Sequence, residues 1–304
     1  MLGPTAAGKT DWAINWQKQF EALEIISVDS VMVYKECNIG SAKPSNEILK
    51  SHPHHLVNHI SLDSVFSVAD FHDSALKLIK EIHSRDKIPL MVGGSMMYFN
   101  LLKNGISALP SANLSLRESL EEKIIKEGVE NLYADLYRLD PIAAKGIKPQ
   151  DSQRIIRAIE IIILTGKSLD ENISASEPSQ LKEKYKLIEF GIFPEQRAEL
   201  HKKIEERQSG LVGDALIDEI VKINDSFHIS AEHPAMKAIN YRQGLQVING
   251  ELKRSELFKR SLFATRQFAK RQCTWMRGWE NLVNFDLHQM EVATEQLKKQ
   301  LNLL

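Results

Sequence analysis

The chain has 304 residues, 43% of them hydrophobic and 26% charged, and a formal net charge of −1. That length suits one large or two modest domains with a sizeable core, and the composition is that of an ordinary globular protein without repeats or low-complexity tracts. No apolar run reaches the length of a membrane span, no signal-peptide pattern opens the chain, and the near-neutral balance confines any nucleic-acid binding to local basic patches.

The first element is a motif. Gly3-Pro4-Thr5-Ala6-Ala7-Gly8-Lys9-Thr10 has the form G-x-x-x-x-G-K-[ST] and leads into a helix expected over Lys9 to Phe20. Such a loop normally follows a buried central strand, yet only Met1 and Leu2 precede it. The first strand therefore reads as truncated: either Met1-Leu2 form a stub, or, as the favoured expectation, a short apolar segment lies upstream. Glu24 to Ser30 reads as a short buried strand ending in the polar pair Asp29-Ser30. A helix opens at Ser67 and runs to about Ser84, with Leu76, Ile79 and Ile82 at helical spacing. Lys87 to Gly94 reads as a strand closing on a glycine pair, with a further helix from about Ser95. Strands alternating with helices predict an α/β fold with a parallel sheet covered on both faces.

The pattern changes after Leu109-Pro110. Ser115–Gly128, Glu130–Leu139 and Ser152–Thr165 are helical, and no strand signal interrupts them. We expect residues 1–108 and 180–304 to form a P-loop core and 109–179 an inserted all-helical domain. Tyr185 to Ile192 reads as a returning strand, after which helices dominate.

The chemistry starts with the loop. Its glycines let successive backbone N–H groups turn toward phosphate oxygens, and the following helix adds its positive end. Lys9 can reach the outer phosphate and Thr10 can hold Mg²⁺ through its hydroxyl. Gly3, Thr5, Ala6, Ala7, Gly8, Lys9 and Thr10 are thus the expected phosphate-binding set. A chance match to this pattern in a chain of this length arises about once in a hundred. Asp29 should lie at the same sheet edge, where a carboxylate can bind metal or accept a proton, although a turn aspartate would look the same. Ser95, after Gly93-Gly94, could hydrogen-bond a ligand there.

Other features carry less. His52, His54, His55 and His59 invite a zinc reading, but adjacent loop histidines without cysteine rarely converge on one ion. Cys37 and Cys273 have no metal or disulfide spacing, which suits a reducing, cytoplasmic setting. From Glu251 to Glu280, eight basic residues (Lys253, Arg254, Lys259, Arg260, Arg266, Lys270, Arg271, Arg277) face three acidic ones, interleaved with Phe258, Phe263, Phe268, Trp275 and Trp279. By itself this stretch reads better as a solvated amphipathic helix with its aromatics in the core than as a nucleic-acid surface.

The ordered set is more specific than any member. The loop, Ile26-Ser27-Val28-Asp29-Ser30, Gly40-Ser41-Ala42-Lys43-Pro44, Pro53-His54-His55-Leu56, Ser67-Val68-Ala69-Asp70-Phe71 and Val92-Gly93-Gly94-Ser95 come first. Asp151-Ser152-Gln153-Arg154 to Glu160, Tyr241-Arg242-Gln243, Ala264 to Gln272 and Trp275-Met276-Arg277 follow. Together they closely resemble the tRNA dimethylallyltransferase family over nearly the whole chain.

The resemblance implies transfer of a dimethylallyl group from dimethylallyl diphosphate to the exocyclic amine of the adenosine 3′ of the anticodon. The loop alone would have suggested ATP. It implies Asp29 as base, Ser95 (where the family usually has threonine) on the bridging oxygen, and Arg207 and the loop on the diphosphate with Mg²⁺. It further implies Asp29, Ser30, Val31 and Met32 against the adenine. The tRNA anticodon stem-loop would be met through Arg117, Gln153, Arg154, Arg157, Lys237, Tyr241, Arg242, Lys270 and Arg271. Asn240 replaces the usual glycine before Tyr241; asparagine is the least costly substitute if that position needs a positive φ. Nothing demands more than a monomer. The competing readings are an adenylate isopentenyltransferase acting on a free nucleotide, which needs neither inserted helices nor a basic stretch, then a P-loop kinase, and a non-enzymatic RNA-binding module.

Overall fold

The computed structural model describes residues 1–107, 109–174 and 181–302, so the expected domain boundaries at 108, 179 and 180 lie outside the described residues. In chain order the elements are α1 (Lys9–Gln19), β1 (Leu23–Val28), α2 (Asn46–Ser51), β2 (His54–His55), α3 (Val68–His83), β3 (Ile88–Gly93) and α4 (Met96–Asn104). Next come α5 (Leu114–Glu127), α6 (Val129–Leu139), α7 (Pro141–Gly146), α8 (Ser152–Thr165), α9 (Leu169–Ser174) and α10 (Leu181–Lys184). Then follow β4 (Phe190–Ile192), α11 (Arg197–Leu211), α12 (Asp214–Phe227), α13 (Tyr241–Ile248), α14 (Leu257–Arg277), β5 (Val283–Phe285) and α15 (Met290–Leu301). Two compact units emerge: Met1–Leu102 with Tyr185–Leu304, and Lys103–Lys184.

The first unit is built on parallel strands. β1, almost wholly buried, pairs with β2 on one side and β3 on the other, with Val28 opposite Gly93. β4 pairs with β5. Leu2 joins the two sets: it bridges Gly93 and Gly191, its N–H donates to the Phe190 carbonyl at 2.8 Å, and its carbonyl accepts from the Ile192 N–H at 2.8 Å. Met1 and Leu2 thus stand between the two sets of strands as a two-residue stub. The expected strand from Tyr185 shrinks to Phe190–Ile192, because its partner β5 offers only three residues.

Local chemistry sets the helices. Ser67 caps α3 in a capping box with Asp70, and Phe71, Ala75, Ile79 and Ile82 form its buried stripe. Against the sheet, the Trp16 indole packs edge-on to Phe190 and donates to the Thr294 hydroxyl at 2.8 Å. Burial of Trp12, Trp16, Phe190, Phe285 and the aliphatic residues around them provides the main apolar stabilisation of this unit. At Gly93 a Cβ would stand 2.1 Å from the Val28 carbonyl oxygen, so the strand end beside the loop admits only glycine.

The second unit is helical. Asp151 caps α8 and Gly166, with φ of +68°, ends it. Leu132, Leu136, Ile155 and Ile159 form its core. Glu160 is fully buried in it. Its carboxylate accepts from Arg117 Nε and Nη2 at 2.9 Å each, from Arg157 Nη1 at 2.5 Å and from the Asn113 N–H at 2.7 Å.

Candidate active site

The loop sits where β1, β3 and β4 end. Ala6 and Gly8 take positive φ values of 63° and 82°, which curls the backbone around a hollow before α1 begins. Two residues distant in sequence hold it. Gln272, on α14, accepts from the Thr5 N–H at 2.8 Å and donates to the Gly94 carbonyl at 2.9 Å. It therefore ties the loop to the end of β3. Arg207, on α11, donates to the Thr5 hydroxyl.

A cavity of about 530 Å³ opens over the loop. Thr5, Ala6, Gly8, Lys9, Thr10, Asp29, Gly94, Arg207 and Gln272 line it, so the phosphate loop, the candidate base and the candidate distal arginine converge on one space. Ser95 is not in its lining; it begins the turn into α4, its N–H donating to the Val28 carbonyl at 3.4 Å. Ser41, Ala42, Pro44, His54, Lys203 and Phe268 complete parts of the wall that sequence reasoning did not assign.

The electrostatics favour an anion. Lys9 Nζ donates to the Pro4 carbonyl at 2.7 Å. Desolvation, helped by the Arg207 charge and opposed by Asp29, pulls its ammonium down to about 7. Burial likewise lowers Arg207, with Asp29 opposing. Arg207 Nε is buried without a hydrogen-bond partner among the described residues. A buried donor left unmade is costly, and an anion over the loop would satisfy it. Asp29 Oδ1 accepts from the Val31 and Met32 N–H groups at 2.8 and 3.0 Å. These bonds aim the carboxylate and leave Oδ2 without a hydrogen bond among the described residues.

The expected RNA-facing residues divide. Gln153, Arg242, Lys270 and Arg271 are exposed, as is Arg154, paired with Asp151 at 2.9 Å. Lys237 pairs with Glu232. Arg117 and Arg157 are engaged by Glu160. Tyr241 corrects the reading: it is fully buried and its hydroxyl donates to Glu219 Oε1 at 2.6 Å, so it faces the protein and not RNA. Burial, with Cys37 and Glu219 nearby, pushes its phenol up. At Asn240 φ is +75° and ψ −50°, so the position does take a positive φ, though outside the left-handed helical region. The aromatics of α14 are not all in the core: Phe263 is 63% exposed and Trp275 45%. His54 and His55 hydrogen-bond the His52 carbonyl and Glu24, at 2.6 and 3.0 Å, and His54 also lines the cavity.

A parallel α/β sheet with a phosphate loop, a carboxylate and a buried arginine around one cavity defines a P-loop protein built to hold a phosphorylated ligand. The family model described as IPP transferase matches residues 32–279. A curated relative, the tRNA dimethylallyltransferase of Nitrosomonas eutropha, is 39% identical, covering 97% of this chain and 92% of that protein. The tRNA dimethylallyltransferase of Francisella tularensis subsp. novicida is 40% identical over 100% of this chain and 96% of its own. Among solved structures, the full-length tRNA isopentenylpyrophosphate transferase of Bacillus halodurans superposes with a TM-score of 0.70 at 32% identity, covering 99% of this chain and 95% of that one. The chain belongs to the IPP transferase family.

Proposed function

We propose that this chain is a tRNA dimethylallyltransferase, and that the cavity over the phosphate loop is where a dimethylallyl group passes from its diphosphate to the N6 amine of an adenosine 3′ of the anticodon. Its family and its near-full-length relatives carry the activity. The observation that carries the site assignment is the buried Arg207, its Nε unpartnered, beside the loop and in one cavity with Asp29.

The chemistry follows from these groups. The N6 lone pair attacks C1 of the dimethylallyl group as the C1–O bond breaks. The electron pair leaves with the diphosphate, whose growing charge is met by Lys9, Arg207 and the loop N–H groups. An adenine amine is a weak nucleophile because its lone pair is delocalised into the ring, so Asp29 accepts its proton as the bond forms. Ser95, which follows Gly94 of the lining, would supply its hydroxyl to the bridging oxygen. The target base must leave its stack, at a cost of a few kcal/mol. Ser30, Val31 and Met32 stand beside Asp29 to receive it.

A divalent ion suits the site: Thr10, Asp11 and Asp29 bring hard oxygen donors to the lining. Thr10 would hold Mg²⁺, which when bound neutralises diphosphate charge. Arg154, Gln153, Arg242, Lys270 and Arg271 are exposed and supply the phosphate contacts of a monomeric, cytoplasmic enzyme. The inserted helices, roughly 109–179, carry part of the tRNA surface.

The test is transfer from radiolabelled dimethylallyl diphosphate with Mg²⁺ to unmodified tRNA and, separately, to AMP. Label in tRNA alone is expected. Label in AMP would move the chain to the adenylate class, and ATP hydrolysis without label would make it a kinase.

A further inference from the structure

Between Asp29 and α2 the chain runs through an irregular strap, residues 30–45, with no helix or strand of its own. Yet Ser41, Ala42 and Pro44 of this strap form a wall of the cavity. Ala42 sits at φ of +54°, a left-handed conformation that costs a non-glycine residue roughly 1–2 kcal/mol. Something must hold the strap there.

One carboxylate does most of it. Glu219, half-buried on α12, gathers three successive backbone donors. Oε2 accepts from the Asn38 N–H at 3.2 Å and the Ile39 N–H at 2.8 Å; Oε1 accepts from Ile39 at 3.1 Å and the Gly40 N–H at 3.2 Å. Three consecutive N–H groups on one anion form a backbone nest. Tyr241, on α13, completes the grip by donating its hydroxyl to Oε1 at 2.6 Å. The Tyr241 ring lies so close to Gly40 that a Cβ there would stand 2.5 Å from it. Asn240 Nδ2 donates to the Gly40 carbonyl at 2.9 Å. From the other side, Lys43 Nζ donates to the Tyr34 carbonyl and the Asn58 side chain, at 2.7 Å each.

The geometry points to Glu219, with Tyr241, as a positioning residue for transfer. It latches the strap whose far side sets the Ser41–Pro44 wall relative to Asp29. Glu219 does not line the cavity, and it acts through the strap alone. This rests on the proposed transferase reading. It makes a specific separation: the diphosphate end, built by Lys9, Arg207 and Gln272, has its own supports and does not depend on the latch.

The experiment uses the full chain and three variants, Glu219→Ala, Glu219→Gln and Tyr241→Phe. Binding of inorganic diphosphate is measured by calorimetry, and transfer to tRNA in single turnovers at a temperature where each variant is folded by circular dichroism. Glu219→Ala is expected to slow transfer about tenfold or more, because charge-assisted bonds to the strap are lost, with diphosphate affinity within about twofold of the parent. Glu219→Gln keeps an acceptor oxygen and recovers part of the rate. Tyr241→Phe loses one bond and falls between the parent and Glu219→Ala. Equal transfer rates in all three variants would overturn the latch. Parallel loss of diphosphate binding and transfer would also overturn it, as a general structural effect. If Glu219→Ala does not fold, Glu219→Gln and Tyr241→Phe decide by the same separation. Failure of the parent chain to label tRNA overturns the transferase reading itself, an outcome distinct from any of these.

Discussion

Lys9 should make diphosphate binding pH-dependent in a range where ordinary lysines are silent. In the empty site its ammonium is held down to about 7, chiefly by desolvation and by Arg207. A bound diphosphate brings negative charge against it and restores a value near the usual 10.4 or above. Binding above neutrality then takes up a proton. With those two values, the apparent dissociation constant rises by the ratio of one plus 10² to one plus 1 between about pH 7 and about pH 9, roughly 50-fold. The ligand is taken as a monoalkyl diphosphate, whose terminal phosphate, with a pKa near 6, is already mostly ionised across this window, so the slope belongs to the protein. For the empty protein the sign is the reverse of a stabilising ion pair. The unfolded chain holds more protons than the folded one between about pH 7 and about 10, so this group's penalty fades as pH rises. Titration calorimetry with a monoalkyl diphosphate, in buffers of different ionisation enthalpy, reads both the affinity and the proton count. Lys9→Arg, charged throughout, should flatten the dependence. Affinity constant within about twofold from pH 7 to 9, with heats independent of buffer, would refute the reasoning.

Asp29→Asn should retain tRNA binding and slow single-turnover transfer by about 10² or more, the usual scale for losing a general base; an undiminished rate would remove Asp29 from that role. Glu160 should give the helical unit an acid limit. Burial works to raise its pKa, but the bonds from Arg117, Arg157 and the Asn113 N–H outweigh it and bring it down to about 2. Its contribution is present above the unfolded value of about 4.3 and is lost as pH falls toward 2. Thermal unfolding followed between about pH 5 and 2.5 should therefore show a falling midpoint, less steep in Glu160→Gln.

Sequence signals reached those parts of the site that lie within a few residues of one another. The phosphate loop was readable because glycine spacing, lysine and a helix start are all local, and Asp29 because it closes a buried apolar run. Gln272 was invisible as a loop organiser: its two partners lie 267 and 178 residues away, and no pattern in the helix marks a glutamine that will face them. β2 and β5, two and three residues long, are too short for any alternation to register. Tyr241 and Arg242 were read together from one motif. At the start of α13 one is buried and the other exposed, a distinction that needs the packing of α12 and Gly40.

The tie between Thr5 and Gln272 also has a meaning for synthesis on the ribosome. The loop emerges before its partner, and the side chain that fixes it arrives 267 residues later. Contacts so distant in sequence form late, since the intervening chain must be closed before they are gained. A nascent chain therefore carries its phosphate-gripping residues through that interval with the grip unset. At about 5–20 residues per second that interval is on the order of tens of seconds, during which the unfinished protein is a poor competitor for the diphosphates around it.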